Sequence, residues 1–235
     1  MSTNNFLRGA LRRLGLLDAA RAWQARHGAG RVAFPMRFPT FDAEIEDAAV
    51  ASLDYVRYAS LALAIRTLQR EKIGGAFAEV GVYQGATSRF LHRCAPERRL
   101  YLFDTFEGFP LSDREPENAG DARFRDTSED AVRRVLGAGA DVVIRKGRFP
   151  ETTAGLERET FAFVLLDLDV FPPTLAGLEF FYPRLAPGAY VFVHDFNSPE
   201  SNAACFRAVQ QAMQGRPERV IELPDVWGSV VFRKS

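Results

Sequence analysis

The chain has 235 residues, 47% hydrophobic and 26% charged, a balance that fits one well-buried globular domain and excludes a disordered or fibrous chain. Thirty basic residues against thirty acidic ones cancel, so the overall charge gives no support to a nucleic-acid partner. Cys94 and Cys205 make neither a metal-binding spacing nor a disulfide framework; with no leader peptide and no apolar run long enough to span a bilayer, the cytoplasm is the expected compartment.

Residues Phe6 to Ala25 carry leucines at helical spacing together with Arg8, Arg12, Arg13 and Arg21. Such a basic amphipathic helix either touches an anionic surface or packs on its own domain or on a second subunit. Residues 1–40 are therefore expected to be an N-terminal helical extension through which a homo-oligomer could form, ending in the loop from Gly28 to Pro39. A second helical pattern runs from Ala43 to Glu71 and stops at Gly74-Gly75.

The first strand is predicted at Ala76 to Val80, followed by Gly81-Val-Tyr-Gln-Gly85-Ala-Thr87 and a helix to Cys94. A strand, a glycine turn and a helix N-terminus make a site for nucleotide-like ligands, because backbone can approach the ligand and free N–H groups point at it. The spacing is not GxGxxG, and Glu79 precedes the glycines. An acid there disfavours a phosphate and favours an ammonium, so S-adenosylmethionine suits the turn better than NAD; an ordinary strand-to-helix turn is the plainer alternative.

The second strand, Arg99 to Phe103, ends in Asp104, placed to accept hydrogen bonds from a ribose diol. Glu107 to Asp126 is long and polar, as in a mobile lid or a disordered excursion, and Asp126-Thr-Ser128 resembles a helix cap before Glu129 to Leu136. A third strand at Asp141 to Arg145, a fourth at Phe161 to Leu166, a helix from Thr174 to Leu185 and a fifth strand at Ala189 to Val193 follow. After a helix from Ser201 to Met213, strands at Glu218 to Leu223 and Gly228 to Arg233 are joined by a link too short for a parallel crossover, hence an antiparallel hairpin. Residues 41–235 thus read as one α/β domain with the seven-stranded, Rossmann-like sheet of class I methyltransferases.

Asp167, Asp169, His194 and Asp195 fall at the carboxyl ends of the fourth and fifth strands, the edge where ligands bind in open parallel sheets. Asp169 is expected to cap the following segment or to orient a ligand.

From about Asp54 to the C-terminus the chain resembles the macrocin O-methyltransferase family, metal-dependent sugar O-methyltransferases of antibiotic pathways. The resemblance rests on Ala78-Glu-Val-Gly-Val-Tyr-Gln-Gly85, Leu102-Phe-Asp-Thr-Phe-Glu-Gly-Phe-Pro110, Lys146-Gly-Arg-Phe-Pro-Glu-Thr152, Asp167-Leu-Asp-Val-Phe171, Phe181-Tyr-Pro-Arg-Leu-Ala-Pro-Gly188 and His194-Asp-Phe196. It implies that Glu79, Gly81, Tyr83, Gly85 and Asp104, with Thr87, Thr105, Ser128 and Gly147, hold S-adenosylmethionine. It also implies that Asp167, His194 and Asp195 hold Mg²⁺ or another divalent metal. His194 stands where the family has the first of two adjacent acids, and Phe171 replaces a usual tyrosine. Asp167 is the expected metal ligand and proton acceptor, with His194 the rival base, and the acceptor is a hydroxylated small molecule. A phenol, catechol, carboxylate or amine acceptor, or a binding protein that keeps the fold without turnover, are the alternatives.

Overall fold

The structure is a computed structural model, which describes residues 43–235 except 53, 116–119, 138–140 and 200–201. The expected N-terminal extension lies outside the described residues. The elements are α1 (Ala43–Ala51), α2 (Tyr55–Glu71), β1 (Ala76–Val80), α3 (Ala86–Cys94), β2 (Leu100–Asp104), α4 (Glu129–Leu136), β3 (Val142–Lys146), β4 (Phe161–Leu166), α5 (Phe171–Phe181), β5 (Leu185–Val193), α6 (Ala204–Ala212), β6 (Ile221–Leu223) and β7 (Ser229–Arg233).

The seven strands form one sheet in the order β3-β2-β1-β4-β5-β7-β6, as expected for the class I methyltransferase arrangement. The five strands β1 to β5 run parallel and β7 is antiparallel to both β5 and β6, which closes the C-terminal hairpin. Every residue of β1 and β4 is buried, as the unbroken apolar runs require of strands covered on both faces. One core holds Val80, Phe103, Val164 and Leu166, the other Phe77, Leu102, Phe163 and Leu165, so successive residues feed opposite faces of the sheet, with a register shift in β4 between Phe161 and Phe163.

Several boundaries differ from the sequence reading, among them β6, which begins at Ile221 rather than Glu218, and three of the differences have a local cause. The helix expected over Ala43 to Glu71 is two: at the end of α1 the Ser52 N–H and Oγ turn back to carbonyls of Ala48 and Ala49, and Asp54 restarts the helix by accepting from the Arg57 N–H at 3.2 Å. A side chain that competes for its own backbone groups breaks a helix that apolar spacing alone would continue. The helix α5 begins at Phe171 rather than Thr174, since Pro172 and Pro173 occupy its first turn, where no N–H is missed. Finally, β5 begins at Leu185, so Pro187 and Gly188 lie within the strand; the Gly188 N–H bonds the Lys234 carbonyl at 2.8 Å.

Within the described parts of the 107–126 segment some side chains pack, while Leu111 is exposed. Asp113 is buried and takes two N–H bonds from Arg148 at 2.6 and 2.8 Å, and the rings of Phe109 and Phe124 meet edge to face. Both cysteines are free and buried.

At the carboxyl edge the ladder runs one residue past the strands: Gly81 N–H bonds Phe103 O, Asp167 N–H bonds Val80 O and His194 N–H bonds Leu166 O, each at 2.9 Å. Gly81 has φ +90°, and a Cβ there would lie 1.9 Å from the Asp167 carbonyl oxygen, a distance no side chain tolerates. Gly81→Ala should lower the thermal midpoint by about 10 °C. Gly74→Ala, where a Cβ meets nothing within 4 Å, should shift it by no more than about 2 °C, measured by circular dichroism.

Candidate active site

The residues just beyond β1, β2 and β4 open on a cavity of about 300 Å³. Of the residues expected to hold the cofactor, Glu79, Gly81, Tyr83, Thr87, Asp104, Thr105 and Gly147 line it. Gly85 and Ser128 stand outside the lining. Gly85 is the left-handed N-cap of α3, and the Ser128 Oγ is taken by the Ala131 N–H at 3.2 Å as the cap of α4.

Asp104 does more than face the cavity. Its Oδ2 accepts from the Val82 and Tyr83 N–H groups at 2.7 and 2.9 Å, and its Oδ1 from the Phe106 N–H at 2.7 Å. A carboxylate has about four acceptor sites, so Asp104 organises the glycine turn and keeps room for about one further hydrogen bond. Tyr83 holds φ +50° within that turn, its hydroxyl donating to Asp126 at 2.9 Å and its ring edge-on to Phe124. Gly147, at φ +138°, donates its N–H to the Asp104 carbonyl at 2.9 Å. The Thr105 Oγ1 donates to the Gly108 carbonyl at 2.7 Å, and Thr87 shares a 3.1 Å hydrogen bond with the Tyr58 hydroxyl.

Glu79 is 1% exposed and accepts a short hydrogen bond from the Ser88 hydroxyl. Burial pushes its pKa up to about 8, with Asp167 and Asp104 adding to the effect, so at neutral pH it keeps its proton.

On the β4–β5 side, Asp167 joins the cavity to a second group of polar residues. Its Oδ2 pairs with the Arg57 guanidinium and its Oδ1 lies 3.1 Å from His194 Nδ1, which is also 2.7 Å from Asp195 Oδ2. Asp167, His194 and Asp195 each offer a ligand atom within 4.8 Å of the others. Burial works against an imidazolium at His194, but Asp167 and Asp195 outweigh it and hold the pKa up to about 10. Burial likewise opposes ionisation of Asp167, yet Arg57 and His194 hold its pKa well below the usual range. Asp195 is pushed up by burial and by Asp167. His194 and Asp195 do not line the cavity themselves; Asp167 is the member that does.

Asp169 provides no cap for α5, whose N-cap is Val170. It lines the cavity in a left-handed conformation, 3.7 Å from Arg123, and burial together with Asp195 and Asp167 raises its pKa to about 8. The sequence reading also passed over Arg57, Ser88, Phe109, Phe124 and Phe149, all of which touch the cavity or its buried acid. For Arg57 a signal was present, a basic residue three positions after the helix-starting Asp54; for the phenylalanines, which sit in connections, there was none.

Residues 40–234 match the protein family described as Macrocin-O-methyltransferase (TylF). The chain is 27% identical over 157 residues to the 8-demethyl-8-(2,3-dimethoxy-alpha-L-rhamnosyl)-tetracenomycin-C 4'-O-methyltransferase of Streptomyces olivaceus, a match that spans 60% of this chain and 60% of that relative's own length. It is 25% identical over 211 residues to the Mycinamicin III 3''-O-methyltransferase of Micromonospora griseorubida, covering 77% of this chain and 82% of that one. Among solved structures, the O-methyltransferase NovP shares the fold with a TM-score of 0.67 at 21% identity, over 86% of this chain and 91% of that one. No helix among the described residues is long and apolar enough to cross a membrane.

The buried acid gives a pH test of the site. The unfolded chain releases the Glu79 proton near 4.5 and the folded chain near 8, so stability falls as pH rises through that window and levels off above it. Glu79→Gln should match the unliganded wild type at pH 4.5 and melt about 5 °C higher at pH 8.5, read from thermal midpoints at both pH values.

Proposed function

The chain belongs to the macrocin-O-methyltransferase family, and on that premise we propose that it transfers a methyl group from S-adenosylmethionine to a sugar hydroxyl of a glycosylated natural product, with help from a divalent cation. The observation that carries this reading is the position of Asp167. It lines the cavity shared with Glu79 and Asp104, and it also belongs to the three-residue group with His194 and Asp195. A reaction between a cofactor and a hydroxyl needs its two halves to meet at one such point.

S-adenosylmethionine, when bound, supplies a methyl group on a sulfonium that is its own leaving group. The residues of the chain therefore have to position rather than to activate it: the glycine turn lets backbone approach, Asp104 can take one hydroxyl of the ribose, and Glu79 can meet the ammonium. The Streptomyces olivaceus relative is named for a substrate that carries a rhamnosyl group, which favours a sugar over a catechol as acceptor.

The donor set of Asp167, His194 and Asp195 fits a divalent metal. Two carboxylates and an imidazole nitrogen converge, and the His194 proton joins the same groups that a cation would join. Such a cation would be held by these three residues and would stabilise the alkoxide of the acceptor; an imidazole ligand suits manganese, zinc or iron as well as magnesium. Asp167, ionised at neutral pH, is the proton acceptor of this reading. His194, flanked by two carboxylates, is held as the imidazolium, a state that cannot accept a proton, and it becomes available only when that proton leaves. A cytoplasmic location, and assembly of copies through residues 1–40, belong to the same reading and rest on the sequence.

The direct test is incubation with S-adenosylmethionine and a panel of deoxysugar glycosides and catechols, with and without EDTA, followed by mass spectrometry. Methylated glycoside that disappears with EDTA and returns with Mg²⁺ or Mn²⁺ is the expected result, and turnover indifferent to EDTA would sink the metal-assisted version. Asp167→Ala and Asp195→Ala should each reduce turnover by about 10³-fold or more, while S-adenosylhomocysteine affinity changes no more than about fivefold by calorimetry. His194→Asp, which restores the paired acids of the family, should keep or strengthen the response to magnesium; a folded but inactive variant would transfer the base's role to His194.

A further inference from the structure

Arg57 is the one cationic side chain lining the cavity among the described residues, in the company of Glu79, Asp104, Asp113, Asp167 and Asp169. Two of these acids have other cations: Asp113 is held by Arg148 at 2.6 Å, and Asp169 lies 3.7 Å from Arg123. Arg57 sits in the first turn of α2 with its side chain 12% exposed. Its Nη2 donates to Asp167, while its Nε is buried without a partner. A guanidinium carries five N–H donors in a rigid fork, so one carboxylate does not exhaust it. Asp167 is moreover shared with His194, which also meets Asp195.

A second feature belongs to the same cavity. The first hydrogen bond within α3 runs from the Arg89 N–H to the Gly85 carbonyl, so the N–H groups of Ala86, Thr87 and Ser88 have no partner inside the helix. Gly85 supplies no side-chain cap. Ala86 and Thr87 both line the cavity, and Thr87 is tied to Tyr58, the residue next to Arg57, through the 3.1 Å hydrogen bond. Unpaired amides at a helix start and a half-satisfied guanidinium both call for an anion, and a planar carboxylate suits the fork.

We propose that Arg57, together with the N-terminal turn of α3, binds the α-carboxylate of the cofactor's amino-acid end. The inference rests on the reading of this cavity as the S-adenosylmethionine site and goes beyond it in naming the group that recognises the amino acid rather than the nucleoside. In this arrangement the ribose lies toward Asp104, the ammonium toward Glu79 and the carboxylate toward Arg57. Arg57 touches both the cofactor and Asp167, so one side chain spans the two halves of the site.

The test is calorimetry in EDTA-containing buffer on the full chain, with two probes: S-adenosylhomocysteine, which carries the carboxylate, and 5′-methylthioadenosine, which has the same nucleoside and thioether without the amino acid. Arg57→Ala should weaken S-adenosylhomocysteine binding by about 30-fold or more and 5′-methylthioadenosine binding by no more than about threefold, with Arg57→Lys between wild type and Arg57→Ala. An equal loss for both probes, or no loss for either, overturns the assignment. Should Arg57→Ala fail to fold, Arg57→Gln and Arg57→Lys carry the same comparison. Wild-type protein that binds neither probe overturns instead the reading of the cavity on which the inference stands.

Discussion

The close approach of Gly81 to Asp167 is the constraint on which the site depends. Two parallel strands with aligned ends, Val80 beside Leu166, bring the backbone that follows β1 against the backbone that follows β4. A side chain at position 81 would collide with the Asp167 carbonyl. Only glycine permits both the turn that receives a nucleoside and the placement of Asp167 at its edge, and the same ladder extends through the His194 N–H to Leu166. The two functional halves are thus neighbours because of main-chain hydrogen bonds, before any side chain is considered.

On that row the electrostatics separate chemically identical groups. Asp167, between Arg57 and His194, is held ionised; Glu79 and Asp169, buried without comparable partners, are pushed up to about 8. Three carboxyl groups around one cavity therefore arrive in two protonation states near neutral pH. Environments that drive like groups apart are how a site obtains an anion for one task and a neutral acid for another. The pairing also explains how so many acids coexist there: Asp113 and Asp169 are each met by an arginine from another segment, Arg148 and Arg123. Arg123 belongs to the long connection between Asp104 and α4, and its guanidinium stacks over Phe124 at 5.1 Å, which couples that connection to the cavity wall.

The central strands were legible because buried parallel strands are written as apolar runs ending in glycine or acid, and the closing hairpin because the link between its strands is too short for a parallel crossover. Asp104, Asp167, His194 and Asp195 were legible for the same reason: each follows directly on such a run. The break at Ser52 was not, because apolar spacing continues across it and only a local competition for backbone groups ends the helix. Arg57 was hidden among residues read for their apolar face, and the aromatic wall of Phe109, Phe124 and Phe149 comes from connections whose course no periodicity records. The double role of Asp104, accepting from three amides of its own chain, follows from the curl of the glycine turn around it.

The hairpin of β6 and β7 makes the two halves of the row unequal in what holds them. The turn carrying His194 and Asp195 is held by the Phe196 N–H on the Gly228 carbonyl and the Asn197 N–H on the Trp227 carbonyl, and β5 is flanked by β7 up to Arg233. Lys234 and Ser235 then bond Glu218, and Lys234 bonds Gly188 and Ala189. The nucleoside half of the site is built on β1, β2 and the turns that follow them, whereas the turn after β5 draws much of its main-chain support from the hairpin that packs beside it. Loosening that hairpin would thus disturb the turn that carries His194 and Asp195 while leaving the glycine turn after β1 in place, so the two halves of the row can differ in local stability.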